Sequence, residues 1–121
     1  MKYSLLTYFM LLFMPTAQAM DLPGNHKLVQ NEEGDYYVKN DEDVTMIEPA
    51  IIKLGFNARW ILACIKNEAI DSELIRWVFI DMRNGGTYDS LNAGQWSFYR
   101  DEAYPDLQEI SLTDYRDERC P

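Results

Sequence analysis

Histidine is nearly absent from this sequence, and its scarcity removes whole classes of chemistry. Of 121 residues only His26 carries an imidazole. One histidine cannot build a multi-histidine metal centre, and a Ser-His-Asp triad would require it to leave a short opening segment and meet a serine on a sheet. The serines beyond residue 19 are Ser72, Ser90, Ser97 and Ser111, and none stands in a Gly-x-Ser-x-Gly elbow. His26 is therefore expected at the surface, and no catalytic residue is assigned. Glycine is sparse too. Gly85-Gly86 stands alone, so there is no phosphate-cradling loop or dinucleotide fingerprint, and no cofactor is expected. An acidic ion-binding loop begins at Asp41-x-Asp43-x-Thr45 but fails as an EF-hand, because Met46 and Ile52 occupy the positions that need glycine and glutamate. No metal site is assigned. Basic side chains are outnumbered, with 11 Lys and Arg against 20 Asp and Glu. That balance argues against nucleic acid as a partner, which a basic surface would bind.

What is present begins with a leader. Residues 1–19 start at Lys2, run apolar from Tyr3 to Met14, break at Pro15 and end in Ala17-Gln18-Ala19, the small-x-small pattern of a signal-peptidase site. The apolar run is about a dozen residues, short of the roughly 20 needed to span a bilayer core. Cleavage after Ala19 is therefore expected, leaving residues 20–121 as a single periplasmic or secreted domain with no membrane anchor. All 20 acids lie beyond the leader, which takes only Lys2 of the 11 bases with it, so the domain carries about ten more acids than bases. At 47% apolar and 13% aromatic it can still fill a core.

Export bears on the two cysteines. In an oxidising compartment Cys64 and Cys120 have each other as sole partners, and their bridge would close a loop of about 57 residues, worth about 4 kcal/mol in the chain-entropy model. Two idle buried thiols are the alternative. A reactive thiol at Cys64 is disfavoured because Ile61, Leu62, Ala63 and Ile65 surround it with apolar bulk.

The expected fold is α+β, mainly β: a small antiparallel sheet with one or two short helices after the central strands. Pro23-Gly24-Asn25 reads as a turn, His26 to Gln30 as a strand, Glu32 to Asp35 as a second turn, and Tyr36 to Lys39 as the returning strand of a hairpin. Asn40 to Asp43 punctuates before Val44 to Ile47, and Ala50 to Leu54 makes another strand closed by Gly55. Arg59 to Lys66 places Trp60, Leu62 and Cys64 on one face and Ile61, Ala63 and Ile65 on the other, which marks a central strand buried on both sides. Ile75 to Arg83 behaves likewise, joined to it through the polar stretch 67–73. Asn84-Gly85 supplies two-residue hairpin chemistry leading into Gly86 to Asp89. Ser90 or Asn92 caps a short helix carrying Trp96, Phe98 and Tyr99, and Ser111-Leu112-Thr113-Asp114 has capping-box spacing for a final helical turn that returns Cys120 to the sheet.

Asp81 is the best carboxylate for glycosidase-like chemistry, since Ile80 and Met82 give it an apolar setting; its alternative is an ion pair with Arg83, Arg76 or Arg59. The aromatics gather at Tyr36-Tyr37 and in the group Trp96, Phe98, Tyr99 and Tyr104. Rings beside acids suit a protein-binding face. The residues expected to meet a partner are Glu32, Glu33, Asp35, Tyr36, Tyr37, Asp41, Glu42 and Asp43, and the partner expected is a basic protein.

The run Leu54-Gly55-Phe56-Asn57-Ala58-Arg59-Trp60-Ile61-Leu62-Ala63, followed by Trp77-Val78-Phe79-Ile80-Asp81-Met82-Arg83 and a polar helix-like stretch, resembles small exported bacterial proteins of an uncharacterised family. In these a glycine-led strand precedes an aromatic-rich strand ending in Ile-Asp-x-Lys/Arg, and then a short helix. The likeness covers residues 54–100 and implies a small β-rich fold without a known activity. The functions expected are an accessory or binding protein of the periplasm, an inhibitor or immunity protein that neutralises a secreted antibacterial effector or hydrolase, and a carboxylate-based hydrolase.

Overall fold

A computed structural model describes residues 19–67 and 75–121. The leader expected over 1–19 and the link expected over 67–73 therefore lie, except for Ala19 and Asn67, outside the described residues. Four short strands come first among the described residues: β1 Met20–Leu22, β2 His26–Gln30, β3 Tyr36–Asn40 and β4 Thr45–Ile47. They form one antiparallel meander in the order β1-β2-β3-β4. The same device makes two of its turns. Asn31 Oδ1 accepts from the backbone N–H of Glu33 and Asp35 at 3.0 and 2.9 Å, and Asn40 Oδ1 accepts from those of Glu42 and Val44 at 2.8 and 3.0 Å. Each asparagine thereby replaces the backbone partners that a tight reversal leaves open. The acids between them ride on turns they do not themselves build.

The second sheet holds β5 Ile51–Phe56, β6 Trp60–Lys66, β7 Ile75–Asp81, β8 Gly86–Leu91 and β9 Thr113–Asp114, in the order β8-β7-β6-β5-β9. It is antiparallel throughout. The fold is mainly β, as the sequence leads one to expect, but the strands divide into two sheets between β4 and β5. Leu28, Val38 and Ile47 of the first sheet meet Ile51, Leu54, Ile61, Ala63, Ile65, Val78 and Ile80 of the second in one aliphatic core. The opposite face of the second sheet carries Ile52, Trp60, Leu62, Cys64, Trp77 and Phe79, and Trp96, Leu107 and Ile110 cover it. β6 and β7 are thus the double-sided central strands that their alternation predicts.

That cover is assembled from short pieces. Helix α1, Ala93–Phe98, is followed by a π-helical turn at Tyr99–Ala103 and a 3₁₀ turn at Pro105–Glu109. Asn92 is the cap of α1: its Oδ1 accepts from Gln95 N at 2.9 Å while Gln95 Oε1 accepts from Asn92 N at 2.9 Å. Six residues are too few to hold a helix in water. Packing holds this one, with the Trp96 ring stacked on Trp77 at 4.5 Å between centroids.

Four local expectations are corrected. Gly55 does not close its strand, because β5 runs on to Phe56. A Cβ at Gly55 would collide with the backbone carbonyl of Ser111 and press on Ile110 and Leu112, so the missing side chain is the passage through which the tail crosses the sheet. Residues 111–114 form no helical turn. Thr113 and Asp114 are β9, antiparallel to Leu54 and Lys53, and Tyr115 N continues the contact by donating to Ile52 O at 2.7 Å. An open strand edge offers these residues backbone partners at once, whereas one capping box must first nucleate a helix. Asn84-Gly85 is part of a four-residue loop in which Gly85 N donates to Asp81 O at 2.8 Å and only Gly85 takes a positive φ, 74°. His26 is not at the surface: it is 9% exposed, and its Nδ1 lies 3.1 Å from Pro23 O, pinning the β1–β2 turn.

Candidate functional site

Cys64 and Cys120 are joined in a disulfide, with Cα atoms 6.2 Å apart and a separation of 56 positions in sequence. Neither is left as an idle thiol. Cys64 sits on the aromatic face of β6 with no exposed surface, so the bridge pulls the tail onto the centre of the sheet. Further bonds fix the tail. Trp77 Nε1 donates to Pro121 O at 2.9 Å. A chain of charges runs from Lys66 to Glu118 at 2.9 Å, from Glu118 to Arg116 at 2.7 Å, and from Arg116 to Asp35 at 2.8 Å. Tyr115 packs on Tyr36 with ring centroids 4.8 Å apart. The Glu118 carboxyl is held below its usual range, first by the hydrogen bond from Lys66, against the opposing pull of burial.

Asp81, the carboxylate singled out from the sequence, ends β7 at 2% exposure. Burial pushes its pKa up, but the Arg59 hydrogen bond, the Arg83 backbone N–H and the charges of both arginines outweigh it and hold the carboxyl below its ordinary value. Arg59 Nη2 lies 3.2 Å from Asp81 Oδ2, and Arg83 N donates to Oδ1 at 3.1 Å. Arg76 belongs elsewhere, with its Nε 3.3 Å from Asp89 Oδ1. Arg59 also lies 4.0 Å from the Trp60 ring centroid and 3.8 Å from Asp106, and Trp60 Nε1 donates to Asp106 Oδ2 at 2.7 Å. This network staples the 3₁₀ turn to the sheet. A general acid needs its pKa raised toward the working pH, and Asp81 is displaced the other way.

The residues expected to recognise a partner fall into two groups. Glu32 and Glu33 are exposed on the β2–β3 turn, while Asp35 is half-buried and held by Arg116. Asp41, Glu42 and Asp43 are exposed on the β3–β4 turn, where Asp43 accepts from Lys39 Nζ at 2.7 Å. That hydrogen bond lowers the Asp43 pKa and raises that of Lys39. The two turns lie at opposite ends of β3, so five residues of strand hold them on the order of 15 Å apart. Tyr36 and Tyr37 diverge as neighbours on a strand must: Tyr36 turns inward to Tyr115 and the aliphatic core, and Tyr37, two residues from Lys39, lies half-buried on the outer face. Each turn borders a polar cleft. One of about 380 Å³ runs past Glu33, Asp35, Glu48 and Lys66, and one of about 510 Å³ past Asp21, His26, Lys27 and Asp41. Among the described residues no three His, Cys, Asp or Glu side chains converge to hold a metal ion.

A third set of side chains lies on the far side of the molecule. Phe79, fully buried, stacks on Tyr88 at 4.6 Å, and Tyr88 meets Tyr99 edge-on at 5.3 Å. Tyr99 and Tyr104 lie parallel within 8°, 6.0 Å apart, and the hydroxyls of Tyr88 and Tyr104 are 3.3 Å apart. That hydrogen bond, with burial behind it, raises the Tyr88 pKa. Phe98 leans edge-on against Tyr99 at 5.5 Å and is 51% exposed. Sequence reasoning found the Trp96, Phe98, Tyr99 and Tyr104 group but not Tyr88, whose only signal was its place across the hairpin from Phe79.

Among the described residues no helix is long and apolar enough to cross a membrane. No protein-family profile, curated protein or solved structure matches the chain.

Proposed function

We propose that this chain is a small exported binding protein, an accessory component of the periplasm or the secreted fraction, which presents the acidic turns at the two ends of β3 to a basic protein partner. The observation that carries the reading is how the carboxylates are divided. The buried one, Asp81, is neutralised by Arg59 and Arg83, and Asp35 by Arg116. Glu32, Glu33, Asp41 and Glu42 stand exposed with no ion pair among the described residues, two at each end of a strand whose outer face carries Tyr37. Charges held apart from the core and left unneutralised act on encounter rates and partner choice. The disulfide is compatible with an oxidising destination, and the likeness over residues 54–100 to small exported bacterial proteins is part of the same reading. A secreted effector or hydrolase held inactive by this domain is one partner of the proposed kind.

The test is affinity capture with the exported, disulfide-bonded chain from envelope and culture fractions, followed by binding kinetics with each purified partner. A basic partner whose association slows as salt rises is the expected result. Turnover of a substrate by the chain alone, abolished by Asp81→Asn, would favour the hydrolase reading instead.

A further inference from the structure

We infer that the ridge formed by Tyr88, Phe98, Tyr99 and Tyr104 is a second docking surface, on the side of the central sheet away from the acidic turns, and that it takes an arginine-bearing segment of a basic protein. It goes beyond the reading above in both location and chemistry. The ridge lies on the cover of the aromatic face, whereas the turns belong to the first sheet, which covers the aliphatic face. Phe98 projects half-exposed from the end of α1, and the three tyrosines beside it are half-buried, each showing part of itself to solvent. Phe79 and Trp96 lie buried beneath them, and Phe98 joins the tyrosines in one aromatic patch rather than standing alone.

Charge selects the occupant. Residues 86–110 carry five acids, Asp89, Asp101, Glu102, Asp106 and Glu109, against Arg100 alone. Arg100 is held by Asp101 through two hydrogen bonds, of 2.8 and 3.0 Å, so it adds little positive field. Glu102 and Glu109 are exposed and have no ion pair among the described residues. An exposed Phe98 ring, partly exposed tyrosines and two unpaired glutamates in the same segment match a planar cation that stacks on a ring and bonds to an acid, which is the chemistry of the guanidinium group. The chain itself shows the pairing at the edge of the ridge, where Arg59 lies over Trp60 and 5.3 Å from the Tyr104 ring centroid while it bridges Asp81 and Asp106.

The probe is an octa-arginine peptide, titrated into the isotopically labelled, disulfide-bonded chain at low and at high salt and followed by amide and aromatic NMR shifts. Shifts at residues 88, 98, 99 and 102 that persist at high salt are expected, because stacking survives the screening that removes long-range attraction. Phe98→Ser should weaken that binding about two- to fivefold, and Glu102→Gln should weaken it mainly at low salt. Both side chains are exposed, and a thermal melt of each variant checks the fold. Glu32→Gln/Glu33→Gln should leave the ridge shifts in place. Shifts confined to residues 31–35 and 40–45 and indifferent to Phe98→Ser would overturn the ridge while leaving the binding reading of the turns intact. Shifts on every face that vanish at high salt, or no shifts at all, would also overturn it.

Discussion

The two faces of the central sheet are held by different kinds of force. Toward the first sheet most of the core contacts are aliphatic and non-directional, with Ile61, Ala63, Ile65, Val78 and Ile80 meeting Leu28, Val38 and Ile47. Two pleated surfaces pack through their inward-facing alternate side chains. On the other face Trp60, Trp77 and Phe79 meet α1, two irregular turns and the tail, which have no ladder to align them. Directional bonds take its place: Trp60 to Asp106, Trp77 to Pro121, Cys64 to Cys120, and Arg59 between two aspartates. A regular cover spreads its stability over many equivalent contacts. An irregular one concentrates it in a few side chains, and each of those is a point of failure.

The largest expected effect sets the faces against each other. Trp60→Ala should cost about 3–5 kcal/mol and Ile61→Ala about 2–5 kcal/mol. Their totals overlap, so the discriminating measurement is native-state hydrogen exchange. Trp60→Ala should release residues 93–110 well before the rest, since the substitution also removes the Trp60–Asp106 hydrogen bond, whereas Ile61→Ala should raise exchange broadly across both sheets. If both variants loosen both covers equally, the distinction between distributed and concentrated stability fails. Next comes the bridge. Cys120→Ser should lower stability by about 2–5 kcal/mol and free the tail toward protease cleavage within 111–121. Non-reducing peptide mapping of the parent chain should recover the Cys64–Cys120 peptide pair. Gly55→Ala is the third step, at about 1–3 kcal/mol, because a methyl group at the crossing point must push the Ser111 backbone away. It should also weaken protection of the β9 amides. A neutral Gly55→Ala would mean that the tail can cross without the gap.

These outcomes bear on what the sequence could disclose. β6 and β7 were legible because each carries at least two apolar residues on both of its faces within seven residues, a pattern that burial on both sides explains. The β2–β3 hairpin was legible from two short β-prone runs flanking a polar turn, and the helix cap was narrowed to Ser90 or Asn92, of which the structure shows Asn92. Tail residues 111–114 were not legible, because their state is decided by the free edge of Lys53 and Leu54, some 60 positions upstream, and capping-box spacing carries no trace of that edge. Gly55 misled likewise, since a glycine that ends a strand and one that admits a crossing chain look identical in one dimension. The disulfide was one of two readings left open by the expected export and the absence of other cysteines, and the structure shows it formed. The charge chain from Lys66 to Asp35 was not legible, for it joins three segments that only the fold brings together. Of the eight residues expected to face a partner, the six acids lie on the two turns and the two tyrosines on β3, and nothing local revealed that Tyr36 and Asp35 are committed to the tail.

Acid should dismantle the staple on the aromatic face. Asp81 titrates lower in the folded chain than in the unfolded one, whose aspartates titrate near a pKa of about 3.9. The unfolded state therefore takes up the proton first as pH falls. The stability contributed by Asp81 is fully present above that unfolded value and is lost as pH drops through the folded one. Denaturation midpoints measured from neutral pH down to about 2.5 should fall, with Glu118 adding to the same trend because its carboxyl is also held low. Asp81→Asn should be less stable at neutral pH and flatter in acid. A variant with the parent's acid slope would remove Asp81 from the linkage and leave the staple to the Trp60–Asp106 bond.

The smallest effect on stability is expected from the residues assigned to recognition, and that smallness is what makes the experiment decisive. Glu32, Glu33, Asp41 and Glu42 are exposed, and their turns are built by Asn31 and Asn40, so replacing these acids with amides leaves every turn hydrogen bond in place. Each pair of substitutions should shift stability by no more than about 0.5 kcal/mol. Asn31→Ala, which removes an acceptor shared by two backbone donors, should cost more, about 0.5–2 kcal/mol by analogy with a lost cap. Against a basic partner, neutralising either turn should slow association at low salt and leave dissociation nearly unchanged. Tyr37→Ala should do the reverse, because a half-buried ring acts through contacts made only once the complex has formed. Because the turns lie at opposite ends of β3, a rigid partner the size of a single hairpin should feel one pair more than the other, and the more sensitive turn then marks the interface. Equal and negligible changes in association for both turns at low salt would make the four acids a solubilising surface and separate the domain's acidity from its recognition.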